Sequence, residues 1–263
     1  MGPAPVYPLG YETATIGSGR QATGTRRYGS GMDVILIPGF WLGADSWEPV
    51  SRALVAAGHR PLALTPHGLE SVEVARTVGL NDQVDAVVAM IDELRGPVAL
   101  VGHSGGGNVA HAAADRRVGR IAHIVYVDTL VPNPGQSIND RLPVVDGVIP
   151  LPDWSIFDDN DLRDLDEDLR ARFAAMARPE PVGVAQDPVT LEDPHRHDLA
   201  ATMIACTFTA ADLHELIDEG EDFVAETAAM TRLRVVELPT GHWPQFTRPT
   251  QLADAITAAL ADA

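Results

Sequence analysis

Short apolar runs recur along this chain, each closed by glycine, proline or a polar cluster, and between them apolar residues fall three or four positions apart. Met32-Asp33-Val34-Ile35-Leu36-Ile37 is a β-branched run of the kind found in strands covered on both faces, and it stops at Pro38-Gly39. Residues 47–57 predict a helix with Val50, Leu54 and Val55 on one side and Gly58 as its C-terminal cap. A second buried strand is predicted at 61–64. Residues 70–80 carry no pattern, after which Asn81 or Asp82 caps a helix with Val84, Val87, Val88, Ile91 and Leu94 at helical spacing, stopped by Gly96-Pro97. Strands at 98–103 and 121–128 follow, with a helix between them. Ahead of all these, 12–16 and 23–28 read as an opening hairpin around Gly17-Ser18-Gly19-Arg20. Strands alternating with helices predict an α/β fold with a mostly parallel sheet flanked by helices.

From 132 to 199 the alternation fails. Prolines recur, and residues 153–170 crowd carboxylates around Leu162, Leu165 and Leu169, a charge run that reads as a solvated helix face. This stretch is expected to be a lid inserted into a core made of 1–131 and 200–263. The pattern resumes with a strand at 201–207, a helix at 212–229, a strand at 233–238, a loop holding Gly241-His242-Trp243-Pro244, and a helix from Pro249 onward.

One turn carries chemistry. In Val98-Ala99-Leu100-Val101-Gly102-His103-Ser104-Gly105-Gly106-Gly107-Asn108, a strand runs into a glycine-rich turn with a single hydroxyl and then into small residues suited to a helix. That is the pattern of a nucleophile elbow, which exposes its serine in a strained conformation and needs glycine on either side. A hydroxyl nucleophile needs a base, and the base needs a carboxylate to orient it. His242 is the candidate base, because its loop follows a predicted parallel strand and so lies at the same carboxyl edge as Ser104. His103 adjoins the nucleophile and points elsewhere, as a packing or supporting group. Asp128 ends the 121–128 strand and is the preferred acid. Asp212 is the alternative, although it looks like the N-cap of the next helix. Backbone N–H groups of Gly105 and Phe40 are the candidate oxyanion donors, and Phe40, Trp41, His103 and Trp243 the candidate substrate pocket.

Composition narrows the partners. With 19 basic against 37 acidic side chains the formal charge is −18, which repels nucleic acid and anionic membranes; the expected small-molecule ester or lactone partner comes from the hydroxyl-nucleophile chemistry and from the resemblance of the chain to a known family, not from charge. Cys206 is the single cysteine and sits in an apolar run, so a buried thiol is expected. No basic-then-apolar leader and no stretch of membrane-spanning length is visible, which points to a soluble, cytoplasmic protein. His195-Arg196-His197-Asp198 invites a metal reading, but the later Asp-His of dinuclear hydrolase motifs is missing, so neither a metal nor any other cofactor is expected.

The order of these pieces resembles the α/β-hydrolase superfamily over nearly the whole chain. The likeness is to the methyl-esterase and hydroxynitrile-lyase branch and its bacterial serine-hydrolase relatives. Residues 34–41 are similar to its strand and oxyanion loop, Gly58-His59 to the end of its first helix, Gly102–Gly106 to its elbow, and 125–132 and 241–246 to its later strand end and histidine loop. Two departures stand out. The usual His-Gly is Pro38-Gly39 here, and the usual acid after Cys-Thr is absent, since Cys206-Thr207 is followed by Phe208-Thr209-Ala210. Certain dehalogenases and lactonases of the superfamily carry the acid after the strand that follows the elbow helix, where Asp128 stands. The resemblance implies a serine esterase or lactonase. Lyases of the branch have threonine at the position of Gly39 and lysine where this chain has Trp243, and Asp-nucleophile enzymes lack a serine in the elbow. The alternatives are a ligand-binding sensor on the same fold, with vestigial hydrolysis, and a carbon–carbon lyase.

Overall fold

A computed structural model of the chain describes residues 14–15 and 31–261. The strands, in chain order, are β1 (Ala14–Thr15), β2 (Asp33–Ile37), β3 (Arg60–Ala63), β4 (Val98–His103), β5 (Ile121–Val127), β6 (Val148–Ile149), β7 (Glu180–Pro181), β8 (Ala201–Ala205) and β9 (Leu233–Glu237). Seven of them form one sheet in the order β1-β9-β8-β5-β4-β2-β3, and every pairing in it is parallel. The remaining two, β6 and β7, pair antiparallel as a separate ribbon. The expected hairpin lies outside the described residues apart from β1, which runs alongside β9 with Ala14 opposite Val236.

Strand periodicity distributes the core to two faces. Val34 and Leu36, with Val101 and Val127, pack under the helices α1 (Glu48–Ala56) and α10 (Pro249–Ala261). Ile35 and Ile37, with Leu100 and Tyr126, pack under α3 (Leu80–Glu93) and α4 (Gly105–Arg116). Between these lie α2 (Val72–Ala75), α5 (Glu167–Met176), α6 (Val182–Gln186), α7 (Ala210–Glu219), α8 (Ala225–Ala228) and α9 (Pro244–Thr247). Among the described residues no helix is long and apolar enough to cross a membrane.

Several local expectations need correction. The first helix is preceded by a 3-10 turn at Ala44–Trp47, and Val55 is 60 % exposed because it lies well around the helix from Val50. Strand β3 is a half-buried edge strand. The patternless 70–80 stretch holds α2, capped by the Ser71 side chain. Helix α3 starts from Gly79, with Asp82 in the third helical position accepting the Gly79 N–H at 2.8 Å. Gly220, at φ +72°, stops α7 well short of residue 229. Pro249 does open the last helix, but the short α9 precedes it.

Between β5 and β8 the chain builds a third cluster, with Ile149, Leu165 and Phe173 packing against Trp41, Trp243 and Phe246. Most carboxylates of the acidic run are exposed, as expected, but the run is also tied to the core. Asp164 bonds the Thr240 hydroxyl at 3.0 Å, and the carbonyls of Asp161 and Arg163 accept the N–H groups of His242 and Gly241 at 2.8 and 3.0 Å.

Candidate active site

Strand β4 delivers Ser104 to the carboxyl edge of the sheet at φ +50°. A serine holds that conformation only where its surroundings leave no alternative. A Cβ on Gly106 would lie 2.2 Å from the carbonyl oxygen of Pro38, and one on Gly102 would lie 2.5 Å from Cα of Gly107. The turn therefore packs backbone on backbone, and α4 departs directly from Ser104 with its free N–H groups at the site.

Strand β5 ends at Asp128, also left-handed at φ +48°. Its N–H donates to the Ile204 carbonyl, and the residue is 4 % exposed. Oδ1 accepts the N–H groups of Cys206 and Thr207, each at 2.8 Å, and the Thr207 hydroxyl reaches both carboxylate oxygens at 3.1 and 3.0 Å. Oδ2 lies 2.7 Å from His242 Nδ1, and His242 Nε2 lies 2.9 Å from Ser104 Oγ. Carboxylate, imidazole and hydroxyl thus stand in one line, able to pass a proton from the hydroxyl to the ring while the carboxylate balances the ring's charge. Burial alone would raise the Asp128 carboxyl. The hydrogen bond and charge of His242, with the two N–H groups, outweigh burial and hold it below the ordinary carboxylate range.

Asp212 lies elsewhere. It is the third residue of α7 and closes a capping box: Thr209 is the N-cap, and Asp212 Oδ2 accepts the Thr209 N–H and hydroxyl, each at 2.8 Å. The expectation that Asp212 is itself the N-cap is off by one turn of the same motif.

His103, read both as a supporting group and as a pocket candidate, is fully buried and supports: it does not line the cavity. Its Nε2 donates to the His242 carbonyl at 2.7 Å, and Nδ1 accepts from the Gln245 amide at 3.2 Å. Burial, then the neighbouring His242 charge, push it down to about 3, so it stays neutral. Phe40 and Trp41 stand on the loop after β2, Phe40 against the turn at Gly105, whose Cβ would meet the Phe40 ring at 2.5 Å. With Ser104, His242 and Trp243 they line a cavity of about 840 Å³, together with Leu130, Ile138, Leu142 and Phe157.

Sequence reading missed Thr207, Asp161 and Glu180. Thr207 had a visible signal, since the Cys206-Thr207 strand end is where the resembling branch puts its acid. Asp161 reaches the cavity from the acidic run, and burial raises its carboxyl. Cys206 contributes its backbone N–H while its thiol is buried and pushed up. His195 and His197 each bond a carboxylate, Asp193 at 2.8 Å and Glu226 at 3.0 Å. Among the described residues no three histidine, cysteine or acidic side chains are grouped to hold a metal ion.

Likeness to known proteins gives the family and the fold. Over 112 residues the chain is 36 % identical to a carbendazim hydrolyzing esterase of Nocardioides sp. (strain SG-4G), covering 41 % of this chain and 46 % of that relative, less than half its length. An extracellular alpha/beta-hydrolase from a Paenibacillus species superposes at a TM-score of 0.69 and 20 % identity, over 87 % of this chain and 98 % of that one. The methylesterase MES16 from Arabidopsis superposes at 0.65 and 18 %, over 88 % and 100 %. A pyrethroid hydrolase from Sphingobium faniae JZ-2 superposes at 0.64 and 19 %, over 89 % and 98 %. These likenesses are of fold. The model of the alpha/beta hydrolase family matches residues 34–255, and the chain belongs to that family.

Proposed function

We propose that this protein hydrolyses carboxylic esters through an acyl-enzyme on Ser104. The observation that carries the proposal is the unbroken line from Asp128 through His242 to Ser104, at 2.7 and 2.9 Å, opening into the cavity. His242 Nε2 takes the hydroxyl proton as Oγ attacks the carbonyl carbon, then gives it to the departing alcohol. Asp128, ionised through the neutral range, orients the ring and stabilises the imidazolium. The N–H groups of Phe40 and Gly105 receive the oxyanion, and the start of α4 adds its partial positive charge. Water, activated by the same histidine, releases the acid. A lactone follows the same steps and yields a hydroxy acid. Residues 132–199 act as the lid that shapes the cavity, whose size suits a substrate of many heavy atoms. The esterase and hydrolase names of the relatives support the same reaction class.

Gly39 and Trp243, in place of the threonine and lysine of the resembling lyases, favour hydrolysis over carbon–carbon cleavage. The test is Ser104→Ala with 4-nitrophenyl esters, together with labelling by a fluorophosphonate. Turnover should fall on the order of a millionfold with the fold retained. Wild-type-like hydrolysis by the folded variant would overturn the mechanism, and tight ester binding without turnover by the unaltered protein would favour a sensor.

A further inference from the structure

Glu180 is a carboxylic acid only 2 % exposed, and the chemistry described so far does not use it. It stands on β7 opposite Ile149 of β6, and both of these partners reach Trp41. Glu180 Oε2 accepts the Trp41 main-chain N–H at 3.0 Å, and the Ile149 carbonyl accepts the indole N–H at 3.1 Å. Arg178, two residues before Glu180, donates its N–H to the Trp41 carbonyl at 2.9 Å. Every polar group of Trp41 is therefore bonded to the segment around the ribbon.

Trp41 needs such a grip. Leu42 N–H donates to the Gly39 carbonyl at 3.3 Å, closing a turn with Phe40 and Trp41 at its centre, and Trp41 sits third in that turn at φ +66°. A positive φ there ordinarily calls for glycine, and a bulky residue held so is strained. Turning the Phe40–Trp41 peptide over would relieve the strain and carry the Trp41 N–H away from Glu180. The loop cannot shift freely elsewhere, because a Cβ on Gly39 would already lie 3.0 Å from Ser104 Cβ. Among the described residues the partners of Glu180 are that N–H and, at 3.5 Å, the Gln83 amide, and no cation is bonded to it. A buried acid so poorly compensated is a costly way to fill space.

We propose that Glu180 is a positioning residue for the oxyanion loop: by accepting the Trp41 N–H it anchors the Gly39–Leu42 turn, and with it the Gly39–Phe40 peptide that supplies the Phe40 N–H to the reacting carbonyl. This rests on the reading of Ser104 as nucleophile and Phe40 as oxyanion donor. The ribbon thereby sets the transition-state geometry from outside the triad, and its loss should appear in kcat rather than KM.

The experiment compares Glu180→Leu, Glu180→Gln and Glu180→Asp on 4-nitrophenyl acetate, with an aryl trifluoromethyl ketone as mimic of the tetrahedral adduct. Removing one oxyanion donor costs about 100- to 1000-fold. Glu180→Leu should lower kcat toward that range with KM changed less than about threefold, and weaken trifluoromethyl ketone inhibition in parallel. Glu180→Gln, which keeps an acceptor oxygen, should recover kcat to within about tenfold of the wild type. If the leucine variant does not fold, Glu180→Asp gives the same reading, because its oxygen is withdrawn by one methylene: kcat falls and KM holds. Wild-type kcat in Glu180→Leu or Glu180→Asp would overturn the proposal. So would a loss that Gln does not recover, or one shared equally by kcat and KM. Fluorophosphonate labelling of the wild type separates the two readings. Absence of labelling and turnover there defeats the serine mechanism, whereas labelling with an indifferent Glu180 defeats this inference alone.

Discussion

His103 donates its Nε2–H to the main-chain carbonyl of His242 at 2.7 Å, so the two histidines are hydrogen-bonded ring to backbone while their rings lie against each other with centroids 4.9 Å apart. His242 is thus held by its main chain while its imidazole is left to Asp128 and Ser104.

Replacing His103 by leucine keeps an apolar filler of similar bulk and leaves the buried His242 carbonyl without a donor. The expected cost is about 1–3 kcal/mol of stability, read from the urea midpoint at constant slope. The folded-state depression of His103, from 6.5 to about 3, adds a signature in pH. Stability from keeping this ring neutral is present above about pH 6.5 and is lost as pH falls below it. The gap between wild type and His103→Leu should narrow on acidification. A gap independent of pH would argue against a neutral His103.

Asp128→Asn tests the acid. Oδ1 of the amide can still accept from Cys206 and Thr207, which turns the NH2 group toward His242 Nδ1 and forces the ring proton onto Nε2, where it cannot take the proton of Ser104. Turnover should fall by up to about ten-thousandfold in a folded protein. Asp212→Ala removes the capping box instead, costing about 1 kcal/mol of stability and leaving turnover unchanged. Thermal melts beside ester assays of both variants decide between the two carboxylates, and the opposite pattern would move the acid to Asp212.

Glu180 predicts a pH effect of the opposite sign to that of His103. Burial raises its carboxyl from 4.5 to about 7, while the Trp41 N–H and the Gln83 amide pull it down by less. The folded protein therefore holds this proton more tightly than the unfolded chain. The resulting stability is complete below about pH 4.5 and is lost as pH rises through about 7. Over that interval it is on the order of 3 kcal/mol. Melting temperatures of wild type and Glu180→Gln across pH 5 to 8 should diverge as pH rises, with the wild type losing ground. Parallel curves would place the group near its ordinary value.

Prolonged treatment with a chelator should leave ester turnover unchanged, since backbone donors and one imidazole complete the proposed chemistry. Loss of activity restored by zinc would direct attention back to His195 and His197.

What the sequence made legible follows from where the information lies. Val34, Ile35, Leu36 and Ile37 announce a strand because a parallel strand covered on both faces must be apolar at every position. Ser104 and His242 were singled out because an elbow and a post-strand loop are local signals, and Asp128 because it follows a readable strand; the structure brings the three side chains within hydrogen-bond reach. Glu180 was not, because its meaning depends on Trp41, 139 positions away, and nothing near Pro179-Glu180-Pro181 marks the pairing. His103 was legible as a supporting group, because the turn at Ser104 sends neighbouring side chains to different sides, but not as a donor to the His242 carbonyl, 139 positions away; its place among the pocket candidates does not hold. The acidic run from 153 to 170 reads as solvated because carbonyl acceptors, which do much of its bonding, have no sequence signature.

The ladder that His242 and Gly241 make with Asp161 and Arg163 bears on how such a protein can be re-engineered. A Cβ on Gly241 would lie 2.3 Å from the Arg163 carbonyl, so the two backbones fit at van der Waals closeness. Grafting a relative's segment in place of the proposed lid, the obvious route to a new substrate scope, would replace the surface on which the His242 loop is cast. Chimeras at 132–199 should therefore be built with the 239–246 loop moved as a matched pair. Directed evolution confined to the insertion will encounter epistasis with that loop before it exhausts the cavity.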